Sequence, residues 1–179
     1  GIVVTNTPGA MADAVADLAF ALLLGMTRQL ILGDARVKEG DTYDVPIGED
    51  LCAMTLGLFG CGHIGAEVVR RAVGFKMRVL VHDPYVDGEQ IRALGAEPVD
   101  RQTLLTQANA ITLHVPLTND NHQMVNAKFL AQMKEGAYLI NTARGGLVDE
   151  AALLSALERG HLAGAGLDCQ AIEPPQGPS

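Results

Sequence analysis

The sequence predicts an α/β domain, a doubly wound parallel sheet with helices on both faces and three layers in all. Two observations carry this. Short apolar runs alternate with segments of helical periodicity along the 179 residues. The runs are continuously apolar, the pattern of strands covered on both faces. Alternation of such strands with helices gives parallel pairing through right-handed crossovers.

The elements follow in order. "GIVVTNTPG" (1–9) reads as a strand and hinge left over from a preceding domain. Residues 10–179 read as the sheet-forming domain, incomplete at its C-terminus, where "EPPQGPS" has a loop composition. Both ends are therefore expected to be cut from a longer protein. "DAVADLAFALLLGMTRQL" (13–30) is a helix that is apolar almost all round. Such a helix is buried on several sides. A domain of this size wraps a helix incompletely, so packing against a second copy, as a homodimer, is the favoured reading over burial in a larger fold.

The strands are expected at 55–59 (TLGLF), 78–82 (RVLVH), 110–115 (AITLHV), 137–141 (AYLIN) and 162–168 (LAGAGLD). After the first, Gly65, Val68, Val69 and Ala72 share one helical face and Gly74 supplies a stop. In "DEAALLSALERG", Asp149 caps a helix whose apolar face includes Ala151, Leu154 and Leu157, with Leu153 beside them; Gly160 ends it.

Composition narrows the functions. Net charge is −8, and the 13 Lys and Arg residues are scattered, which argues against nucleic acid as a partner. Cys52, Cys61 and Cys169 form no CxxC pair, so neither a disulfide framework nor a zinc knuckle is expected. The longest apolar run, "LAFALLLGM" (18–26), is well short of the ~20 residues that span a bilayer. No membrane partner and a cytoplasmic location are the expectations.

The chemistry starts at "TLGLFGCGHIG" (55–65), where a strand runs into G-x-G-x-x-G and then a helix. Gly60 permits the tight turn, Gly62 lets a pyrophosphate approach the backbone, and Gly65 lets the helix press on the sheet. The N–H groups of His63 and Ile64 then face the phosphates from the helix N-terminus. The His63 side chain itself is a phosphate neighbour or faces solvent. Asp83 follows Gly65 by 18 residues, at the end of the second strand. A carboxylate there accepts from the adenosine ribose hydroxyls and repels a 2′-phosphate, which selects NAD over NADP. The fold is thus an NAD(P)-binding Rossmann fold.

"NTPG" (6–9), "GCGHIG" (60–65), "HDPY" (82–85), "HVPLT" (114–118), "INTARGGLVDE" (140–150) and "LDCQAIEPP" (167–175) occur in one order. In that order the chain resembles the D-isomer-specific 2-hydroxyacid dehydrogenases, over essentially its whole length. Within the family it is most similar to D-3-phosphoglycerate dehydrogenases, with glyoxylate and hydroxypyruvate reductases as the alternative.

The resemblance implies roles. Arg144 binds the carboxylate and carbonyl oxygen of a small 2-hydroxy or 2-oxo acid; a planar guanidinium suits that bidentate grip. Glu173 pairs with a catalytic histidine and raises its pKa. Val115, Pro116 and Asn121 contact the adenosine side, Asn121 standing where the family usually has Thr. Thr142 and Ala143 lie along the nicotinamide, and Asp168 accepts from its carboxamide. Cys169 and Gln170 replace a usual Val and aromatic residue, and Asp17 replaces a more frequent Glu. The family's histidine follows Glu173 in a Pro-His context. None of His63, His82, His114, His122 and His161 does so. The expectation is a chain that binds NAD but is catalytically incomplete. Two readings from other classes stand beside it: an NAD-sensing binding protein, since the family resembles the C-terminal binding corepressors, and an oligomerisation module built on residues 13–30.

Overall fold

The structure is a computed structural model that describes residues 2–40 and 47–173. The prolines of the "EPP" segment after Glu173, and the rest of the expected C-terminal loop, lie outside the described residues.

Six strands form one parallel sheet: β1 (Thr55–Phe59), β2 (Arg78–His82), β3 (Glu97–Pro98), β4 (Ala110–Leu113), β5 (Ala137–Asn141) and β6 (Leu162–Leu167). Their spatial order is β3-β2-β1-β4-β5-β6. The chain winds outward from β1 in one direction and then from β4 in the other. The C-terminal ends of β1 and β4 therefore border the crevice where strand order reverses, the place at which such sheets bind ligands.

The helices are α1 (Ala12–Thr27), α2 (Leu30–Lys38), α3 (His63–Gly74), α4 (Gly88–Ala93), α5 (Arg101–Gln107), α6 (Ala127–Gln132) and α7 (Glu150–Glu158). Two apolar clusters cover the two faces of the sheet. Ala16, Phe20 and Leu23 of α1, Val68, Val69 and Ala72 of α3 and Ile91 of α4 pack on one side. Leu104 and Leu105 of α5, Phe129 and Leu130 of α6 and Leu153 and Ala156 of α7 pack on the other. The expected face of α3 is buried in full: Gly65, Val68, Val69 and Ala72. Asp149 caps α7 by accepting from the Ala152 N–H at 3.1 Å, and Gly160, with φ +68°, follows its end.

Three boundaries differ from expectation. The helix expected over 13–30 breaks after Thr27, and Gln29 adopts a left-handed φ of 50° before α2 leaves at a bend of 55°. Tertiary contact explains the break. The Glu49 N–H donates to the Thr27 carbonyl at 2.8 Å, which satisfies a helix-end acceptor that the next turn would have taken. Gly48 lies so close that a Cβ there would approach the Thr27 oxygen to 2.5 Å. α1 is also less enclosed than its composition implies: it buries one face, while Leu18 stays exposed. β4 stops two residues early because the His114 carbonyl folds over Gly60, where a Cβ would come within 2.5 Å of it. β6 likewise ends at Leu167, one residue before Asp168. Among the described residues no single helix is long and apolar enough to cross a membrane.

Candidate dinucleotide and substrate site

Parallel strands deliver every loop after a strand to one edge of the sheet. The segments after β1 (60–62), β2 (83–86), β4 (114–118), β5 (142–144) and β6 (168–173) therefore share that edge. All the residues expected to bind cofactor or substrate lie on these segments, on α3, or just beyond them.

At the β1 end the glycines have separate tasks. Gly60 has a φ of +92°, in the left-handed region that favours glycine. A Cβ on Gly65 would lie 2.3 Å from the Gly60 carbonyl oxygen, so only glycine lets α3 sit this close to the turn. Gly62 has nothing within 4 Å of the place a Cβ would occupy, which leaves its backbone open to an incoming group. It is also the N-cap of α3 and supplies no side-chain acceptor, so the N–H groups of the first turn face outward unfilled. That is the arrangement a pyrophosphate requires.

Asp83 already holds this loop. Its Oδ2 accepts from the Cys61 N–H at 2.7 Å, and its Oδ1 from the N–H groups of Tyr85 at 2.8 Å and Val86 at 3.3 Å. The carboxylate expected to meet the ribose thus staples the glycine turn to the end of β2. The Cys61 thiol is buried, and burial, with a smaller contribution from Asp83, pushes its pKa up. It stays a neutral thiol under the loop. His63 is exposed, and its ring rests against Gly9, where a Cβ would come within 3.3 Å of Cδ2. Ile64 packs against the core instead.

Under the loop, His114 places Nε2 2.9 Å from the Thr112 hydroxyl, and burial pushes its pKa down to about 4. It is neutral near pH 7. His82 is turned away, its Nδ1 3.1 Å from the Val99 carbonyl. Val115 is half-buried and Pro116 exposed on the segment after β4. Asn121 lies just beyond this segment and bonds within it: its amide donates to the Pro116 carbonyl at 2.7 Å and its oxygen accepts from the Thr118 N–H at 2.7 Å. It closes the 116–121 loop, a role its place in a Thr-like position did not indicate.

At the β5 end, Asn141 is fully buried and missing from the residues expected to matter. Its amide donates to the Arg144 carbonyl at 2.9 Å, and its oxygen accepts from the Ala143 N–H at 3.0 Å. It thereby fixes the turn that presents Arg144. A buried polar residue ending an otherwise apolar strand was the available signal. Thr142 is 6% exposed, and its hydroxyl is the one buried side-chain polar atom without a partner among the described residues. A buried hydroxyl left so costs free energy unless a ligand satisfies it. Arg144 is exposed and folds back to donate from Nη1 to the Ala143 carbonyl at 2.6 Å. Among the described residues it makes no ion pair. Glu173 accepts from the Gln170 N–H at 3.0 Å. Arg144 and Glu173 line one open cavity of about 300 Å³ with Leu117, Cys169 and Gln170. Asp168 is exposed at the rim of the same edge. Burial, then the carboxylates of Asp168 and Glu173, push the Cys169 thiol up, against an opposing pull from Arg144.

The residues present fit a dinucleotide: an open backbone at Gly62, an uncapped helix start, and an unmatched buried hydroxyl at Thr142. Comparison with known proteins agrees. Residues 20–179 match the family model described as D-isomer specific 2-hydroxyacid dehydrogenase, NAD binding domain. The chain is 44% identical to a glyoxylate reductase of Thermococcus litoralis, covering 97% of this chain and 55% of that protein. It is 42% identical to D-3-phosphoglycerate dehydrogenase 3, chloroplastic, of Arabidopsis thaliana, covering 98% and 30%. A crystal structure of D-lactate dehydrogenase from Aquifex aeolicus, complexed with NAD and lactic acid, superposes with a TM-score of 0.90 at 37% identity, covering 97% of this chain and 52% of that one. The chain spans about half the length of the glyoxylate reductase it matches. With the family model matching from the middle of α1 onward and the Rossmann sheet in place, the chain belongs to the D-isomer-specific 2-hydroxyacid dehydrogenases, as their NAD-binding domain.

Proposed function

We propose that this chain is the cofactor-binding part of an oxidoreductase that moves hydride between NAD(H) and C2 of a D-2-hydroxy acid or 2-oxo acid. The observation that carries the proposal is the cavity shared by Arg144 and Glu173, with the unmatched Thr142 hydroxyl two residues before Arg144. NAD supplies the hydride acceptor. Gly60, Gly62, Gly65 and the N–H groups of His63 and Ile64 hold the phosphates, and Asp83 holds the ribose and disfavours a 2′-phosphate. Val115 and Pro116 flank the adenosine side. Thr142, Ala143 and Asp168 orient the ring. Arg144, free of ion pairs within the described residues, grips the substrate carboxylate and polarises the neighbouring carbonyl.

Glu173 raises the pKa of a histidine that protonates the carbonyl oxygen. No histidine lines the Arg144–Glu173 cavity among the described residues. A positioned general acid is worth ~10²–10⁴-fold, so the 179-residue polypeptide is expected to bind NADH and turn over poorly. The substrate reading is 3-phosphoglycerate. A second reading, reduction of glyoxylate or hydroxypyruvate, is favoured by the 44% identity to a glyoxylate reductase and the 42% identity to a Thermotoga maritima hydroxypyruvate reductase.

The partner surface is the apolar flank of α1 and α2. Leu30 and Ile31 are 58% and 83% exposed, and a groove of about 680 Å³ runs beside them between α1 and β6. The proposal is a homodimer through this flank. Fluorescence titration of NADH tests the cofactor. Titration of glyoxylate, hydroxypyruvate and 3-phosphohydroxypyruvate into the binary complex then ranks the substrates. No NADH binding at high micromolar concentration, or fast reduction of any of these acids by this polypeptide alone, counts against the proposal.

A further inference from the structure

We infer that Glu150 is a positioning residue for the loop that carries Glu173. Its catalytic meaning rests on the function proposed above; the contact itself does not. β6 ends at Leu167, and the chain must then double back across the sheet edge to bring Glu173 beside Arg144. The Asp168 N–H closes the last rung by donating to the Asn141 carbonyl at 3.0 Å. Beyond it, three contacts hold the loop to the 143–150 block. The Gln170 carbonyl lies over Gly145, where a Cβ would stand 1.9 Å from its oxygen. The Cys169 thiol reaches the Ala143 carbonyl at 3.5 Å, a weak bond. The Ala171 N–H donates to Oε1 of Glu150 at 2.7 Å.

The Glu150 contact is short and charge-assisted, the stronger kind of hydrogen bond. The two acids at the start of α7 have divided roles. Asp149 faces its own helix and caps the Ala152 N–H, which leaves Glu150 to reach outward across the sequence. Glu173 then closes the loop from inside through the Gln170 N–H. One carboxylate anchors the loop, and the other is thereby presented to the cavity. A purely helical role for Glu150, favouring the N-terminal dipole of α7, would leave the loop indifferent to its loss.

The test uses the whole chain without cofactor and reads the loop directly. Amide exchange at Ala171 is followed by NMR, and alkylation of Cys169 by iodoacetamide is followed by peptide mass spectrometry. Glu150→Ala is expected to speed Ala171 exchange about tenfold and to raise the Cys169 rate, with Tm and NADH affinity unchanged. Glu150→Gln keeps an acceptor and is expected to restore most of the protection. Gly145→Ala, acting from the other side of the loop, is expected to loosen it as well. Unchanged exchange and alkylation in Glu150→Ala would overturn the inference. So would an equal fall of Tm in the Ala and Gln variants with no rescue by Gln, which is the signature of a helical role. Failure of the unaltered chain to bind NADH would remove the functional reading and leave the loop result standing.

Discussion

The phosphate end and the substrate end of the proposed cleft are built on different principles. The phosphate end is made of absences: Gly60, Gly62 and Gly65 leave space for a turn, a ligand and a helix, and the nearby backbone fills two of those spaces. The substrate end is made of side chains that bond to backbone: Asn141 to Arg144, Glu150 to Ala171, Glu173 to Gln170. At the phosphate end Asp83 already accepts three backbone N–H groups and holds the turn, while the first-turn N–H groups of α3 have no side-chain cap. The substrate end keeps one buried hydroxyl unmatched and an arginine folded onto its own backbone. Under the proposed function the unmatched groups meet what the cleft takes up: Thr142 the nicotinamide side of the cofactor, and Arg144 the substrate.

The largest test of this contrast is Arg144→Ala. Loss of one partner in a desolvated charge pair costs about 2–5 kcal/mol. Affinity of the NADH complex for a 2-oxo acid is expected to fall at least ~30-fold by that measure, with NADH affinity held. Arg144→Lys restores charge without the planar fork and should recover only part. Equal loss of cofactor and oxo acid would mean that the two ends are not separable.

The phosphate end carries an acid sensitivity of its own. His114 sits beneath Gly60, and its folded pKa of about 4 lies below the ordinary 6.5. Between those values the unfolded chain takes up a proton that the folded chain refuses. The stability this site supplies is fully present above pH 6.5 and is lost as pH falls toward 4, on the order of 3 kcal/mol. Urea unfolding across that window should show the slope, and His114→Gln should flatten it. A slope that persists in His114→Gln places the sensitivity in another group.

Gly65→Ala follows. Its Cβ would meet the Gly60 carbonyl at 2.3 Å, and backbone cannot yield as a flexible side chain does. Overpacking of this kind costs about 1–3 kcal/mol, and α3 should move off the turn. NADH affinity and Tm are expected to fall together. A variant that loses Tm and keeps NADH affinity would show that the helix start is not the phosphate site.

The same contrast decides what could be read from the sequence. The phosphate end is contiguous: strand, glycines and helix occupy 55–74, and Asp83 comes one strand later, so local pattern sufficed. The five longer strands were legible as apolar runs. β3, with two residues, and the six- and seven-residue helices α4, α5 and α6 are too short to show a period. The break after Thr27 was hidden because its cause, Glu49, arrives from 22 residues downstream. Asn141 and Glu150, and the loop bonds of Asn121, were not legible for one reason. A polar residue's role depends on which carbonyl or N–H lies opposite, and only the folded chain decides that.

Thr142→Val has the smallest expected effect and separates the two ends most cleanly. The hydroxyl is buried and unpartnered, so the chain without ligand carries its desolvation cost. Valine has the same shape without the polar group, and replacing a buried unmatched hydroxyl this way is expected to stabilise the free chain by about 1 kcal/mol. The bound state should lose the hydrogen bond that the proposal gives the hydroxyl with the cofactor, and NADH affinity is expected to fall about three- to tenfold. Tm without ligand rises while affinity drops, the opposite of the joint fall expected for Gly65→Ala. Urea unfolding of the free protein and NADH titration give both quantities. A fall in both would show that the Thr142 hydroxyl already has a partner within the fold, and Arg144 alone would then set the substrate end apart.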